Sequence, residues 1–287
     1  MDKSADTLRA FEALQEQVEA ERQSRIAYHR QQVRERGLTA RRDSGPLNIL
    51  AHGDSWFDYP LSRDIVDFLR AGGPGFPQIL RLAHYGDSST TALGVKKRKQ
   101  IIDNLQDPDN GAFDALMFSG GGNDIAGDQF CLWIRQFDPQ HPDPANGIDR
   151  VRLQALMDVV RSAFVDLIDV RDREQRDCIL FFHAYDFAQP SGLPACVVGP
   201  WLKPSLDFRQ WTNRPLATQI VKDVLLAFDT LLKQLEHDFR NVVYVRTQGT
   251  LDPGADWANE THPTETGFSK LAVRFRDALR TKFPGRI

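Results

Sequence analysis

Cysteine is scarce in this chain, which has only Cys131, Cys178 and Cys196 among 287 residues. Three thiols do not make a disulfide framework, and no cysteine or histidine spacing matches a zinc site. Cys131 and Cys178 stand in apolar stretches, so we expect them to pack as small hydrophobic side chains. The sequence therefore predicts neither a disulfide-stapled fold nor a structural metal.

Long apolar runs are also missing. No run is long enough to span a bilayer, and the polar N-terminus has no apolar stretch typical of a signal peptide. We therefore expect a cytoplasmic protein with no membrane span. The net charge of -3 gives no reason to expect nucleic acid or an anionic membrane as a partner.

Three common motifs are absent. Neither G-x-x-x-x-G-K-[ST] nor G-x-G-x-x-G occurs, which argues against a phosphate-cradling loop. G-x-S-x-G is absent too, which argues against the nucleophile elbow of ordinary α/β-hydrolases. No cofactor is expected from these patterns.

Residues 1–43 differ in composition from the rest of the chain. They are rich in Glu, Gln and Arg and contain a single glycine, and a thin apolar stripe at helical spacing runs through them. The stripe consists of Leu8, Phe11, Leu14, Val18, Ile26 and Val33. We expect a helical arm over 1–43 that packs on the main domain or on a second copy of the chain, giving a homo-oligomer. The turn-forming residues around Asp43 and Ser44 mark the boundary, so the main domain spans 44–287.

From residue 44 onward, apolar runs alternate with amphipathic stretches. Five strands separated by helices favour a parallel sheet with helices on both faces, because parallel strands need crossover connections. The predicted strands are Leu47–His52, Ile79–Tyr85, Ala115–Ser119, Cys178–Tyr185 and Val242–Arg246. The main predicted helices are Val151–Ile168, Ala217–Leu235 and a last one with an apolar stripe of Phe268, Leu271, Ala272, Phe275 and Leu279.

Three short blocks contain residues suited to chemistry at the carboxyl edge of such a sheet, where ligands bind in open α/β folds. The first is G-D-S-W-F, which places Ser55 just after the first strand. The second is S-G-G-G-N-D after the third strand, and the third is N-E-T-H-P before the last helix. Each block alone is common, but the ordered set resembles the SGNH (GDSL-type) hydrolase family from about Leu47 to the C-terminus.

The resemblance implies a fold and a set of roles. The fold is a flavodoxin-like α/β/α sandwich with a five-stranded parallel sheet in the order 2-1-3-4-5. Ser55 would be the nucleophile and His262 its base, since a serine hydroxyl needs a base to take its proton. The Ser55 N–H, the Gly86 N–H and the Asn123 side-chain amide would stabilise the oxyanion, without metal or cofactor. Gly86 is the weaker match, because it can also simply end a strand.

The sequence departs from the family at the residue that orients the histidine. The family has an aspartate three residues before this histidine, and here the position is Asn259. An asparagine carbonyl can fix the histidine tautomer, but it offers no full charge to an imidazolium. Three alternatives follow: Asn259 orients His262, a nearby carboxylate such as Asp256 or Glu260 replaces it, or the site is weakened. We favour the first.

The substrate pocket is predicted from aromatic residues and one glycine. Trp56 and Phe57 follow the nucleophile, Gly122 lets the backbone turn beneath the substrate, and Trp201 lies in the long loop after the fourth strand. The aromatic residues can equally serve to pin the long loop down.

The leading hypothesis is a serine-dependent carboxylesterase or acetylesterase acting on a small-molecule ester. A lysophospholipase, thioesterase or acyltransferase would use the same residues. A different class of function is a non-catalytic binding module on the same scaffold, and Asn259 is the feature that keeps this alternative open.

Overall fold

The computed structural model describes residues 3–37, 45–71, 76–193 and 199–287. The predicted boundary at residues 43 and 44, Cys196 and the side chains of Leu8, Phe11 and Leu14 lie outside what it describes. Within the described ranges, no helix has the length and apolar character needed to cross a membrane.

Helices and strands alternate along most of the described chain. The helices are α1 (Lys3–Arg36), α2 (Ile65–Arg70), α3 (Ser89–Ala92), α4 (Val95–Gln106), α5 (Gly122–Ile125), α6 (Arg150–Glu174), α7 (Lys203–Phe208), α8 (Arg214–Asp238) and α9 (Glu265–Lys282). The strands are β1 (Asn48–Gly53), β2 (Gln78–Arg81), β3 (Ala115–Ser119), β4 (Ile179–His183) and β5 (Val242–Val245). Short 3-10 turns occur at Pro108–Asn110, Asp128–Leu132 and Pro144–Gly147.

The five strands form one parallel sheet in the order β2-β1-β3-β4-β5, which confirms the predicted topology. Every residue of β1 and β3 is buried, as expected for strands covered by helices on both faces. Helices α2 and α9 pack together on one face, and α6 packs against α4 and α8 on the other. The apolar stripe predicted for α9 is buried throughout.

Some element boundaries differ from the prediction. Helix α6 continues six residues past the predicted end at Ile168, to Glu174. Strand β2 ends at Arg81, although the amides of Leu82 and His84 still donate to the backbone of β1. The long loop after β4 contains the short helix α7.

The C-terminal half of α1 packs on the main domain beside β2 and the turn at Pro108–Asn110. Ile26 and Val33 of the predicted stripe are buried there, and Arg30 pairs with Asp107. Association of the arm with a second copy of the chain stays a prediction.

The amino ends of the strands are tied to the last residues of the chain by a buried ion pair. Both Asp114 oxygens accept from the Arg286 guanidinium at 2.8 Å, and one of them also accepts the Asn48 N–H at 2.9 Å. The two side chains are 3% and 8% exposed, so removing one partner leaves a buried charge unpaired.

We expect Arg286→Met to lower the free energy of unfolding by about 3–5 kcal/mol, the usual cost of stranding one partner of a buried pair. Urea unfolding followed by circular dichroism measures the change. Arg135→Met is the matched control, because the Arg135 side chain is 57% exposed and lies 3.9 Å from Asp149. Such a surface pair contributes about 0–1 kcal/mol. Equal losses for the two variants would contradict the role given to Arg286.

Candidate active site

Ser55 lies in a tight turn at the carboxyl end of β1. Gly53 has a φ of +130°, and a Cβ there would lie 1.9 Å from the Ser119 carbonyl oxygen. The Asp54 N–H donates to this same oxygen at 2.9 Å. Only glycine permits that close approach, so the chain leaves the sheet at Gly53 and presents Ser55 at the sheet edge.

The structure brings Ser55 and His262 together across 207 positions of sequence. Ser55 Oγ and His262 Nε2 are 2.7 Å apart. The His262 ring stacks on Tyr59 with ring centres 4.6 Å apart, and α9 begins immediately afterwards with Thr264 as its N-cap. The ring is thus held between the nucleophile turn and the start of the last helix.

Asn259 determines which nitrogen of His262 holds the proton. Its Oδ1 accepts the backbone N–H groups of Thr261 and His262, at 3.0 and 2.9 Å, which identifies this atom as the oxygen of the amide. The same oxygen lies 3.1 Å from His262 Nδ1. Because an oxygen can only accept, Nδ1 is the protonated nitrogen and Nε2 presents its lone pair to Ser55.

The two carboxylates near His262 have other partners. Asp256 pairs with Lys270 at 2.6 Å and accepts the Asp252 N–H at 2.8 Å. Glu260 is fully buried and accepts four backbone N–H groups, those of Gly192, Trp201, Leu202 and Lys203. Of the three candidates from the sequence, Asn259 alone contacts the imidazole in the structure.

His262 is in its neutral form near pH 7. Burial lowers its pKa to about 4, because the charged imidazolium loses hydration. A neutral imidazole is the form that can accept a proton from a hydroxyl.

Asn123 lies in the glycine-rich turn after β3 and lines the same cavity as Ser55 and His262. Its amide nitrogen donates to the Asp87 carbonyl at 2.7 Å, which joins this turn to the turn after β2. Gly86, next to Asp87, has a φ of +82°. Gly86 is not among the residues that line the cavity, so its role in the site stays a prediction.

A buried network beneath the nucleophile turn was missed at the sequence level. Asp54 accepts from Ser119 Oγ at 2.6 Å, from the Trp56 N–H at 3.0 Å and from the Tyr185 hydroxyl. Ser119 Oγ also lies 2.9 Å from His183 Nε2. Burial raises the pKa of Asp54 to about 6, and these hydrogen bonds counteract the rise. In the sequence, this network is indicated only by two polar residues, His183 and Tyr185, at the end of the predicted fourth strand.

Tyr185 links the two turns that hold Ser55 and Asn123. Its hydroxyl donates to Asp54 and accepts the Gly122 N–H at 3.0 Å. A Cβ on Gly122 would lie 2.6 Å from the Tyr185 ring, so glycine is required at this contact. Tyr185 has a φ of +58°, a conformation that costs energy for an aromatic residue and is concentrated at functional sites.

The residues predicted to bind substrate divide into two groups. Trp56 and Gly122 line the cavity, and Trp56 Nε1 also donates to the Thr261 carbonyl at 3.1 Å. Phe57 does not line it, because its fully buried ring packs edge-on against Phe275 in the core. Trp201 does not line it either, and the neighbouring Leu202 takes that place.

Within the described ranges, His, Cys, Asp and Glu side chains form no group that could hold a metal ion.

Comparison with known proteins identifies the fold. No protein-family model and no curated protein matches the sequence. The chain is similar to the crystal structure of the lipase Lip_vut3 from a goat rumen metagenome, with a TM-score of 0.52 and 14% identity over 81% of this chain and 97% of that chain. The TM-score is 0.47 for the family 3 carbohydrate esterase of Clostridium thermocellum, at 14% identity over 83% and 97% of the two chains.

The strand order and the likeness to this lipase show that the chain has the α/β fold of SGNH hydrolases. At 14% identity the likeness concerns the fold alone. The chemistry has to be argued from the residues of this chain.

Replacing Asn259 with aspartate tests the electrostatics of the site. A carboxylate 3.1 Å from Nδ1 would favour the imidazolium, so we expect Asn259→Asp to raise the pKa of His262 above its value of about 4 by about 1–3 units. Titration of the imidazole signals by NMR measures the pKa. Asn213→Asp is the control, because it adds the same charge at the exposed N-cap of α8. An unchanged His262 pKa in Asn259→Asp would contradict the contact between the two side chains.

Proposed function

We propose that the protein is a serine-dependent hydrolase of small acyl esters. The observation that supports this most directly is the 2.7 Å contact between Ser55 Oγ and the unprotonated Nε2 of His262. A hydroxyl in contact with a neutral imidazole of fixed tautomer is the arrangement needed for nucleophilic attack on an ester.

Catalysis begins when Ser55 Oγ attacks the ester carbonyl carbon while His262 Nε2 takes the hydroxyl proton. The tetrahedral intermediate collapses as the imidazolium returns this proton to the leaving alkoxide, and the acyl group stays on Ser55. Water, deprotonated by His262, then attacks the acyl carbonyl. The bond to Ser55 Oγ breaks, the imidazolium returns its proton to Oγ, and the acid leaves. Each proton removed by the imidazole is given back within the same half-reaction.

The oxyanion needs donors beside the attacked carbonyl. The Ser55 N–H is one candidate, since no acceptor within the described ranges takes it. The Asn123 amide is a second, because it lines the same cavity. The Gly86 N–H is the third donor of this proposal. The hydrogen bond from Asn123 to the Asp87 carbonyl keeps the turn that contains Gly86 close to Asn123. One such donor typically contributes about a hundredfold to a thousandfold in rate.

In this proposal, Asn259 lowers the catalytic rate only modestly relative to the aspartate that the family has at this position. In a serine protease, the change from Asp to Asn costs about ten-thousandfold in rate, chiefly because the histidine takes the wrong tautomer. Here the backbone N–H groups of Thr261 and His262 hold the Asn259 oxygen toward Nδ1, so the productive tautomer is kept. The remaining loss is the charge that would have stabilised the imidazolium.

Loss of the nucleophile or of the base tests the proposal. Ser55→Ala should abolish hydrolysis of p-nitrophenyl acetate, and His262→Ala should lower kcat by about a hundredfold to ten-thousandfold. Release of p-nitrophenolate gives both values, and circular dichroism confirms that the variants are folded. Turnover by Ser55→Ala equal to that of the unmodified protein would refute Ser55 as the nucleophile, whereas no turnover by either protein would favour a binding module on this scaffold.

The partner of His262 is tested by a pair of substitutions. Asn259→Ala should lower kcat/KM but less than His262→Ala does, because only the orienting contact is lost. Asp256→Ala should leave kcat/KM within about threefold, since Asp256 pairs with Lys270. A loss for Asp256→Ala as large as that for His262→Ala would transfer the orienting role to Asp256.

A further inference from the structure

The cavity beside Ser55 and His262 is lined mainly by aliphatic and aromatic side chains. They come from α5, the turn at Asp128–Leu132, the segment before α7, and α8. The residues concerned are Ile125, Phe130, Leu202, Val221, Val224 and Leu225. The last three lie at i, i+3 and i+4 on α8, so they form one face of that helix.

Among the residues that the structure describes, no lysine or arginine lines this cavity. Two carboxylates do line it, and both have their hydrogen bonds filled by the protein. Asp54 accepts from Trp56, Ser119 and Tyr185. Asp186 accepts the N–H groups of four residues, which are Phe187, Gly249, Thr250 and Leu251. A charged group entering the cavity would therefore lose water and gain no counter-ion.

The cavity is small. Its volume is about 50 Å³, and one water-sized group needs roughly 10–15 Å³ on this scale. The free space accommodates roughly three to five such groups. That is enough for an acetyl to butyryl chain.

We propose that this cavity is the acyl site, that it takes an uncharged acyl chain of two to four carbon atoms, and that Val224 sets the upper limit of length. The inference deepens the proposed function and depends on it. Val224 is fully buried and lies in the middle of the α8 face, so its two methyl groups form part of the wall. Removing them extends the cavity toward the body of α8.

Chain-length selectivity tests the size of the site. We would measure kcat/KM for the p-nitrophenyl esters of acetate, butyrate, hexanoate and octanoate, each below its micellar concentration. Each added methylene that is buried should raise kcat/KM by a factor of at most about four, until the cavity is full. We expect the maximum at two to four carbons and octanoate at least tenfold below it. A steady rise to octanoate would overturn the proposal.

Charge selectivity is tested with the mono-p-nitrophenyl ester of succinate, which has four acyl carbons like butyrate and adds one carboxylate. We expect its kcat/KM to be at least tenfold below that of butyrate. A value equal to or above that of butyrate would contradict an uncharged acyl site.

Val224→Ala tests the wall directly. The ratio of kcat/KM for hexanoate to that for butyrate should rise at least tenfold. The matched control is Val170→Ala, the same truncation at a buried position of α6 that does not line the cavity. It should lower thermal stability in the same way and leave the ratio unchanged. If Val224→Ala does not fold, Val221→Ala takes its place, since it lines the same cavity.

The outcomes separate this inference from the proposed function. Hydrolysis that depends on Ser55, combined with an unchanged ratio in the α8 variant, would overturn the acyl site and leave the esterase proposal standing. Absence of hydrolysis that depends on Ser55 for every ester would overturn both.

Discussion

The buried carboxylate of Asp54 is the constraint on which the site depends. It accepts from Ser119 at the end of β3 and from Tyr185 just after β4, and it directly precedes Ser55. Because Tyr185 also accepts the Gly122 N–H, the turns that hold Ser55 and Asn123 are joined through one hydroxyl. Burial of a carboxylate is costly, and it is tolerated here because each oxygen has a hydrogen-bond donor. A fully satisfied network of this kind favours one arrangement of the turns.

The proposed base, His262, has no charged partner at its Nδ1 nitrogen. Burial keeps His262 neutral, and the Asn259 oxygen fixes its tautomer through contacts that the backbone of the same turn enforces. The carboxylates of Asp256 and Glu260, which flank Asn259 in sequence, have other partners. Glu260 accepts four backbone N–H groups, two of which, from Trp201 and Leu202, belong to the segment before α7 that supplies Leu202 to the cavity. The histidine turn therefore positions both His262 and one wall of the cavity.

Patterns of neighbouring residues predicted the scaffold well. Strand β3 was predicted to the residue, and so was the buried stripe of α9, because both are determined by local apolar periodicity. The three ordered sequence motifs predicted a site containing Ser55 and His262, and the structure brings these two side chains into contact. Phe57 shows where this reasoning fails. Its place shortly after Ser55 suggested a substrate contact, but its ring is fully buried and packs against Phe275 in the core. The link from Asp54 to Tyr185 joins residues 131 positions apart, so it depends on strand register and has no local signature.

The central claim is that Ser55 is a hydroxyl activated by His262, and labelling with a fluorophosphonate at pH 7 tests it most directly. Intact-mass spectrometry should show one adduct, which peptide mapping places on Ser55. Labelling should be absent in Ser55→Ala and slower by about a hundredfold to ten-thousandfold in His262→Ala, the usual contribution of a general base. Labelling at another residue, or an equal rate in His262→Ala, would contradict the account.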